Sequence, residues 1–146
     1  MYLLDTTHCI ALLNNNQNVI DKMKTLKDTE ISTSLIVCAE LIYGAYISEL
    51  VSENIRRIEE LVEYIQVYGI NWDTIYVYSR MKAEILERFG PKDKRKRRNT
   101  KIESLGFKDN DLWIAATAIQ HNLILVSSDS DMHNLSGIEG LNVENW

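Results

Sequence analysis

Cysteine occurs only twice in the 146 residues, at Cys9 and Cys38. That is too few for a disulfide framework, and no Cys-x-x-Cys spacing offers a zinc site. Apolar runs are short, and none approaches the ~18 residues that suggest a membrane span. The opening residues lack the basic stretch and long apolar run of a secretory signal, so none is expected. His8, His121 and His133 share no ligand spacing and read as surface or helix-end residues. There is no internal repeat and no domain boundary. Together these absences point to one cytoplasmic domain, long enough to bury a core without covalent staples.

An excess of positive charge is also missing. The net charge is −5, which taken alone argues against a nucleic-acid binder. The distribution is uneven, however. Lys92–Lys101 holds seven basic residues (Lys92, Lys94, Arg95, Lys96, Arg97, Arg98 and Lys101) against Asp93, so it carries +6 and the remainder −11. Such asymmetry marks either a local anion-binding segment on an acidic body or a solvated loop. We read it as a basic loop or insertion at about 90–108.

Strand-like and helical patterns alternate along the chain. Tyr2–Leu4 reads as a short buried strand, and Asp5 follows it directly, either as the cap of the next helix or as a functional carboxylate. His8–Leu13 and Val19–Leu26 read as helices separated by Asn14-Asn15-Asn16, with a turn at Lys27-Asp28-Thr29. Glu30–Ser34 reads as a second strand. The helix from Leu35 is expected to bury Ile36, Ala39, Ile42 and Tyr43, with Gly44 admitting another backbone closely. Ser52–Tyr64 is helical, Ile65–Ile70 a short strand, and Trp72–Phe89 an amphipathic helix closed by Gly90-Pro91. A helix over Leu112–Gln120 is expected to take its cap from Asp109 or Asn110. Leu123–Val126 and Leu141–Val143 complete the strands. Alternating strands and helices predict an α/β fold of three layers, a parallel sheet of four to five strands flanked by helices.

In that architecture Asp5 and Asp129 each leave the carboxyl end of a strand. Asp111 starts the helix before the Asp129 strand, and Glu40 lies about one turn into the helix after strand two. All four acids then meet at one sheet edge. Clustered carboxylates repel, and a divalent cation relieves that penalty. Oxygen donors without paired His or Cys ligands suit Mg²⁺ or Mn²⁺ rather than Zn²⁺. A carboxylate-held metal can activate water and stabilise a leaving oxygen, as nucleases do. Thr6 and Ser127 are candidates to orient the ligands. Lys94, Arg95, Lys96, Arg97, Arg98 and Lys101 could neutralise nucleic-acid phosphates beside the acids.

Five stretches carry a family resemblance: Leu4-Asp5-Thr6, Ala39-Glu40-Leu41-Ile42-Tyr43-Gly44, Asp109-Asn110-Asp111-Leu112-Trp113-Ile114-Ala115-Ala116, Leu125-Val126-Ser127-Ser128-Asp129, and Glu144-Asn145-Trp146. In this order they resemble the PIN-domain ribonucleases of the VapC toxin family. The resemblance implies a Mg²⁺- or Mn²⁺-dependent endoribonuclease, acting on a structured RNA such as tRNA or rRNA and neutralised by a small VapB-type antitoxin. It assigns the metal and catalytic acids to Asp5, Glu40, Asp111 and Asp129. Asp109 competes for the third place, and Asp111 is preferred because it stands three residues before Ile114-Ala115-Ala116. The region 92–106 is longer and more basic than is typical of the family. Asp131 adds an acid without an assigned role.

Two other functions share the residues: a non-catalytic RNA- or protein-binding module, and an acid-pocket phosphatase of the haloacid dehalogenase type. The phosphatase normally has a second Asp two residues after its nucleophile, where this chain has Thr7. Cys9 and Cys38 read as small buried hydrophobes. Trp72, Tyr76, Tyr78 and Trp113 read as packing residues, unless one is exposed and stacks on a base. The helices between Leu35 and Tyr64 offer a surface for an antitoxin helix or for a second copy in a homodimer.

Overall fold

The computed structural model describes residues 1–26 and 30–146. Strands β1 (Tyr2–Leu4), β2 (Ile31–Ser34), β3 (Gln66–Tyr68), β4 (Ile124–Val126) and β5 (Val143–Glu144) form one parallel sheet in the order β3-β2-β1-β4-β5. The expected turn at Lys27–Thr29 lies outside the described residues.

Among the described residues eight helices connect these strands: α1 (Thr6–Leu13), α2 (Gln17–Thr25), α3 (Leu35–Tyr46), α4 (Val51–Tyr64), α5 (Trp72–Phe89), α6 (Lys94–Arg98), α7 (Asp109–Gln120) and α8 (Ser130–Asn134). Crossovers between parallel strands are right-handed. From β1 to β3 the chain moves one way across the sheet, and from β3 through β4 to β5 it moves the other way. The first set of helices therefore covers one face and the second set the other, giving three layers. Packing of α1 on α3 and of α5 on α7 agrees with this division.

The centre of the sheet explains its apolar strands. Leu3 pairs with Leu125 and Leu4 with Val126, and all four side chains are fully buried. A strand covered on both faces has no polar side to alternate with. Ile114, Ala115, Ala116 and Ala118 of α7, with Met81 and Ile85 of α5, complete that part of the core.

Several local expectations need correction. Helix α3 buries Val37, Cys38, Leu41 and Ala45, while Ile42 and Tyr43 face outward and Ala39 is exposed. Nearly every residue of α3 is apolar, so periodicity could not choose its buried face. A Cβ added at Gly44 would touch nothing within 4 Å, so no close backbone approach requires that glycine. Gly90, in contrast, is required, because a Cβ there would overlap the Leu86 carbonyl oxygen. Helix α7 starts at Asp109, its N-cap residue is Lys108, and no side chain caps it.

The expected basic loop contains helix α6 and a 3-10 turn at Ile102–Leu105. Asp93, the lone acid of Lys92–Lys101, caps α6 by accepting from Lys96 N at 2.8 Å, and the cations that follow suit the negative end of the helix. Among the described residues no helix is long and apolar enough to cross a membrane.

Candidate active site

The sheet order reverses between β1 and β4, because connections leave these adjacent strands in opposite directions. Ligands of open α/β sheets bind at the carboxyl end of such a switch point, where the diverging connections leave a crevice. Asp5 follows β1 there, and Asp129 lies three residues beyond β4. Asp5 N donates to Val126 O at 3.1 Å, so the β1–β4 ladder runs up to the first acid. A cavity of about 160 Å³ opens at this point, lined by Asp5, Thr6, Glu40, Asp111, Ser127 and Asp129, with Lys108 as its cation.

Each acid is held by a different element. Asp5 is the N-cap of α1 and accepts from His8 N at 2.8 Å. The capping and cavity-lining readings of Asp5 thus hold together. Glu40 of α3 accepts the Thr6 hydroxyl on one oxygen and Asn110 Nδ2 on the other, at 2.8 Å. Asp129 caps α8 through Asp131 N at 2.9 Å, and its own N–H donates to Ser127 Oγ at 3.1 Å. Lys108 Nζ stands 3.8 Å from Asp129 Oδ2. Thr6 and Ser127 therefore both touch cavity acids, Thr6 meeting Glu40 and Ser127 meeting Asp129.

Asp111 differs from the other three. Its Oδ2 is buried and has no hydrogen-bond partner. Burial pushes its carboxyl up to about 6. The Lys108 ammonium pulls the other way, while Asp129, Glu40 and Asp5 add to the rise. Asp109, two residues earlier, faces α5. It accepts from Tyr78 Oη at 2.6 Å and Lys82 Nζ at 2.8 Å, and these bonds, that from Lys82 foremost, hold its carboxyl below the usual range. Asp111 lines the cavity and Asp109 does not.

A divalent cation fits the donor set. A buried carboxylate oxygen without a partner is costly, and a hard cation would satisfy it while offsetting the mutual repulsion of four acids. As the side chains lie, no group of three or more His, Cys, Asp or Glu residues among the described residues is gathered tightly enough to chelate one ion directly. Water-bridged coordination, usual for Mg²⁺, accommodates that spacing.

Sequence reasoning missed three residues here. His8, expected at the surface or a helix end, is 3% exposed and its Nδ1 lies 2.9 Å from Asp5 Oδ1. The spacing Asp-x-x-His was a signal, since it carries a capping acid and its partner one turn apart. Asn110, considered only as a cap, bridges α7 to Glu40. Lys108 enters the cavity although it lies outside the basic run.

The basic segment sits beyond the same edge. Helices α5 and α7 are antiparallel, since Thr74 Oγ1 meets Gln120 while Lys82 meets Asp109. Phe89 lies seven residues past Lys82, about 10 Å further along α5, and packs on Phe107, just before Lys108. Lys94, Arg95, Lys96, Arg98 and Lys101 are exposed. Arg97 is committed locally, donating from Nε to Pro91 O at 3.0 Å and from Nη2 to Lys92 O at 3.3 Å. Of the aromatic residues, Tyr78 and Trp113 stack at 3.7 Å, whereas Trp72 and Tyr76 are exposed at the opposite end of α5.

A second cavity of about 250 Å³ lies between α1, α3 and α4. Ile10, Leu13, Leu41, Ala45 and Ile58 make it apolar, and Glu40 belongs to both cavities.

A family model described as PIN domain matches residues 2–138. A Haemophilus influenzae (strain R2866) protein named ribonuclease VapC1 is 29% identical, with 100% of this chain and 96% of that protein aligned. A Salmonella typhimurium (strain LT2) protein named tRNA(fMet)-specific endonuclease VapC is 23% identical over 99% of this chain and 97% of its own length. Among solved structures, VapBC2 from Rickettsia felis bound to promoter DNA superposes with a TM-score of 0.80 at 24% identity, covering 99% of this chain and 98% of that one. VapBC-1 from nontypeable Haemophilus influenzae gives 0.76 at 27% identity, covering 99% and 97%.

Proposed function

This chain belongs to the PIN domain family, and from that premise we propose that it is an endoribonuclease, the toxin of a toxin–antitoxin pair. The observation that carries the reading is the buried, unpartnered Oδ2 of Asp111 in a cavity it shares with Asp5, Glu40 and Asp129. The ribonuclease names of full-length relatives support the substrate class. A structured RNA such as tRNA or rRNA is the proposed substrate.

Asp5, Glu40, Asp111 and Asp129 are the proposed holders of a divalent cation, Mg²⁺ or Mn²⁺. Bound there, the ion supplies charge neutralisation for a phosphodiester and the Lewis acidity that makes water a nucleophile. The chain's own residues fix the geometry of the cleavage. Thr6 and Asn110 hold Glu40, Ser127 steadies the loop of Asp129, and Lys108 offers a cation to an entering phosphate. Lys94, Arg95, Lys96, Arg98 and Lys101 extend that attraction past the cavity mouth.

The apolar groove between α1, α3 and α4 is the proposed seat of an antitoxin segment of VapB type, which would reach the acids through their shared residue Glu40. The VapBC character of the 27%-identical structure supports such a partner. The outward face of α3 with its C-cap residue Ile47, where Tyr43, Tyr46 and Ile47 are 66%, 67% and 70% exposed, is the proposed contact of a homodimer. The cytoplasm is the proposed location.

The test is RNA cleavage by the purified chain with Mn²⁺. EDTA is expected to abolish it, and Asp5→Asn and Asp111→Asn each to reduce it about a hundredfold or more. Full activity of both variants in Mn²⁺ would sink the mechanism, and RNA binding without cleavage would leave a non-catalytic module.

A further inference from the structure

Asp5 makes two contacts with one residue. His8 presents its backbone N–H at 2.8 Å and its ring Nδ1 at 2.9 Å, both to Oδ1 of Asp5. The backbone contact is the ordinary helix cap, made by any capping Asp regardless of the side chain that follows. The ring contact is additional. A carboxylate held at one oxygen by one donor can still turn about its terminal torsion, which is broad for such groups. A second donor on the same oxygen, from a ring that cannot itself move, removes that freedom. Among the described residues no donor meets Asp5 Oδ2, which remains for the cavity.

The ring is fixed by its surroundings. His8 is 3% exposed and Asp5 is 6% exposed. The Trp146 ring meets the imidazole edge-on, with centroids 6.5 Å apart and planes at 85°, and Trp146 in turn packs edge-on against Tyr2 of β1 at 5.1 Å. The far end of the chain thus closes over the histidine beside the strand that delivers Asp5. A leucine would fill that volume equally well, so packing alone gives no reason for an imidazole. The hydrogen bond to Asp5 does.

We infer that His8 is a positioning residue, which holds Oδ1 of Asp5 through an Nδ1–H donor and thereby aims Oδ2 into the carboxylate cavity. This rests on the reading of that cavity as a divalent-cation site. Groups that orient ligating side chains affect metal affinity strongly, because the ligand otherwise loses orientational entropy on binding.

Two measurements test it. In the metal-free wild-type protein, long-range ¹H–¹⁵N correlation spectra report which imidazole nitrogen carries a proton. His8 is expected to be protonated at Nδ1, and a tautomer protonated at Nε2 alone overturns the inference without any mutation. Mn²⁺ titration calorimetry is then run on wild type, His8→Leu and His8→Asn, with circular dichroism confirming the fold. Asn places an amide N–H where Nδ1 stood, two bonds from Cβ. His8→Leu is expected to weaken Mn²⁺ about ten- to a hundredfold and His8→Asn to recover most of that loss.

Equal affinity of wild type and His8→Leu overturns the inference while leaving the cation site standing. So does a His8→Asn protein as weak as His8→Leu, since the role is then packing. A wild type that binds no Mn²⁺ overturns the cation-site reading, and this inference with it. Should His8→Leu fail to fold, the tautomer and His8→Asn decide, the inference requiring near-wild-type affinity of the latter.

Discussion

Asn110 Nδ2 donates to Glu40 Oε1 at 2.8 Å, pinning the start of α7 to α3 between two acids with opposite surroundings. Asp109, on one side of it, is bonded to Tyr78 and Lys82. Asp111, on the other, enters the cavity with a bare oxygen. The same substitution should therefore act differently at the two positions. Asp109→Asn is expected to lower stability by about 1 kcal/mol, the scale of a partly exposed pair, and to leave cleavage near the wild-type rate. Asp111→Asn is expected to reduce cleavage about a hundredfold or more, the scale of losing one group that stabilises transition-state charge. Denaturant melts and single-turnover cleavage on the same preparations separate the two effects, and a reversed pattern would make Asp109 the cavity's third acid.

Asp111 should also leave a mark on stability in the absence of metal. Burial raises its folded carboxyl to about 6, above the value of about 4 it has when unfolded. Between those values the folded state binds more protons, so this group's contribution to stability falls as pH rises through the window. Above about pH 6 the destabilisation is fully present, and below about pH 4 it is absent. In EDTA, Asp111→Asn is expected to melt at a higher temperature than wild type at pH 8, with the difference shrinking as pH falls through 6 and closing near pH 4. A lower melting temperature at pH 8 would mean that the carboxylate is already satisfied.

The strands and the cavity acids were legible for a physical reason. Fully buried β1 and β4 admit only apolar residues, so the first polar residue after each, or shortly after, marks the sheet edge. Asp5 and Asp129 could be placed together on that ground, Asp111 because it starts the helix that precedes the Asp129 strand, and Glu40 by its spacing from β2. Helix α5 was legible end to end because Gly90-Pro91 stops it and its polar face is distinct. The buried face of α3 was not, since an almost wholly apolar helix has no pattern to read. Helix α6 was obscured by its charge: five consecutive cations look solvated, and only Asp93 N-terminal to them signals a capped turn. His8 needed the fold, because its burial depends on Trp146, 138 residues away in sequence.

The outward face of α3 gives a prediction about assembly. Tyr43 and Tyr46 lie exposed on it and Ile47 at its C-cap, and a second copy covering them would explain their apolar character. Tyr46→Glu combined with Ile47→Lys is expected to give a folded monomer by light scattering where wild type is a dimer. Both substitutions lie on the surface, so the circular dichroism spectrum should not change. A wild type that is monomeric at high micromolar concentration removes the homodimer from the reading.

The basic segment separates into binding and structural cations. Lys94, Arg95, Lys96 and Arg98 are exposed, and each can meet a phosphate, whereas Arg97 spends its guanidinium on the Pro91 and Lys92 carbonyls. Every phosphate neutralised releases counterions, so the logarithm of RNA affinity falls with the logarithm of salt at a slope of about 0.7–0.9 per contact. Replacing Lys94, Arg95, Lys96 and Arg98 with Gln is expected to weaken RNA binding and flatten that slope by up to about 3, with the melting temperature unchanged. Arg97→Gln is expected to do the opposite: a lower melting temperature, since two carbonyl contacts are lost, and a slope close to wild type. An Asp111→Asn background allows the binding measurements without cleavage of the probe. If the fourfold variant keeps the wild-type slope, α6 is solvated and the phosphates are met elsewhere, with Lys108 as the next cation to test.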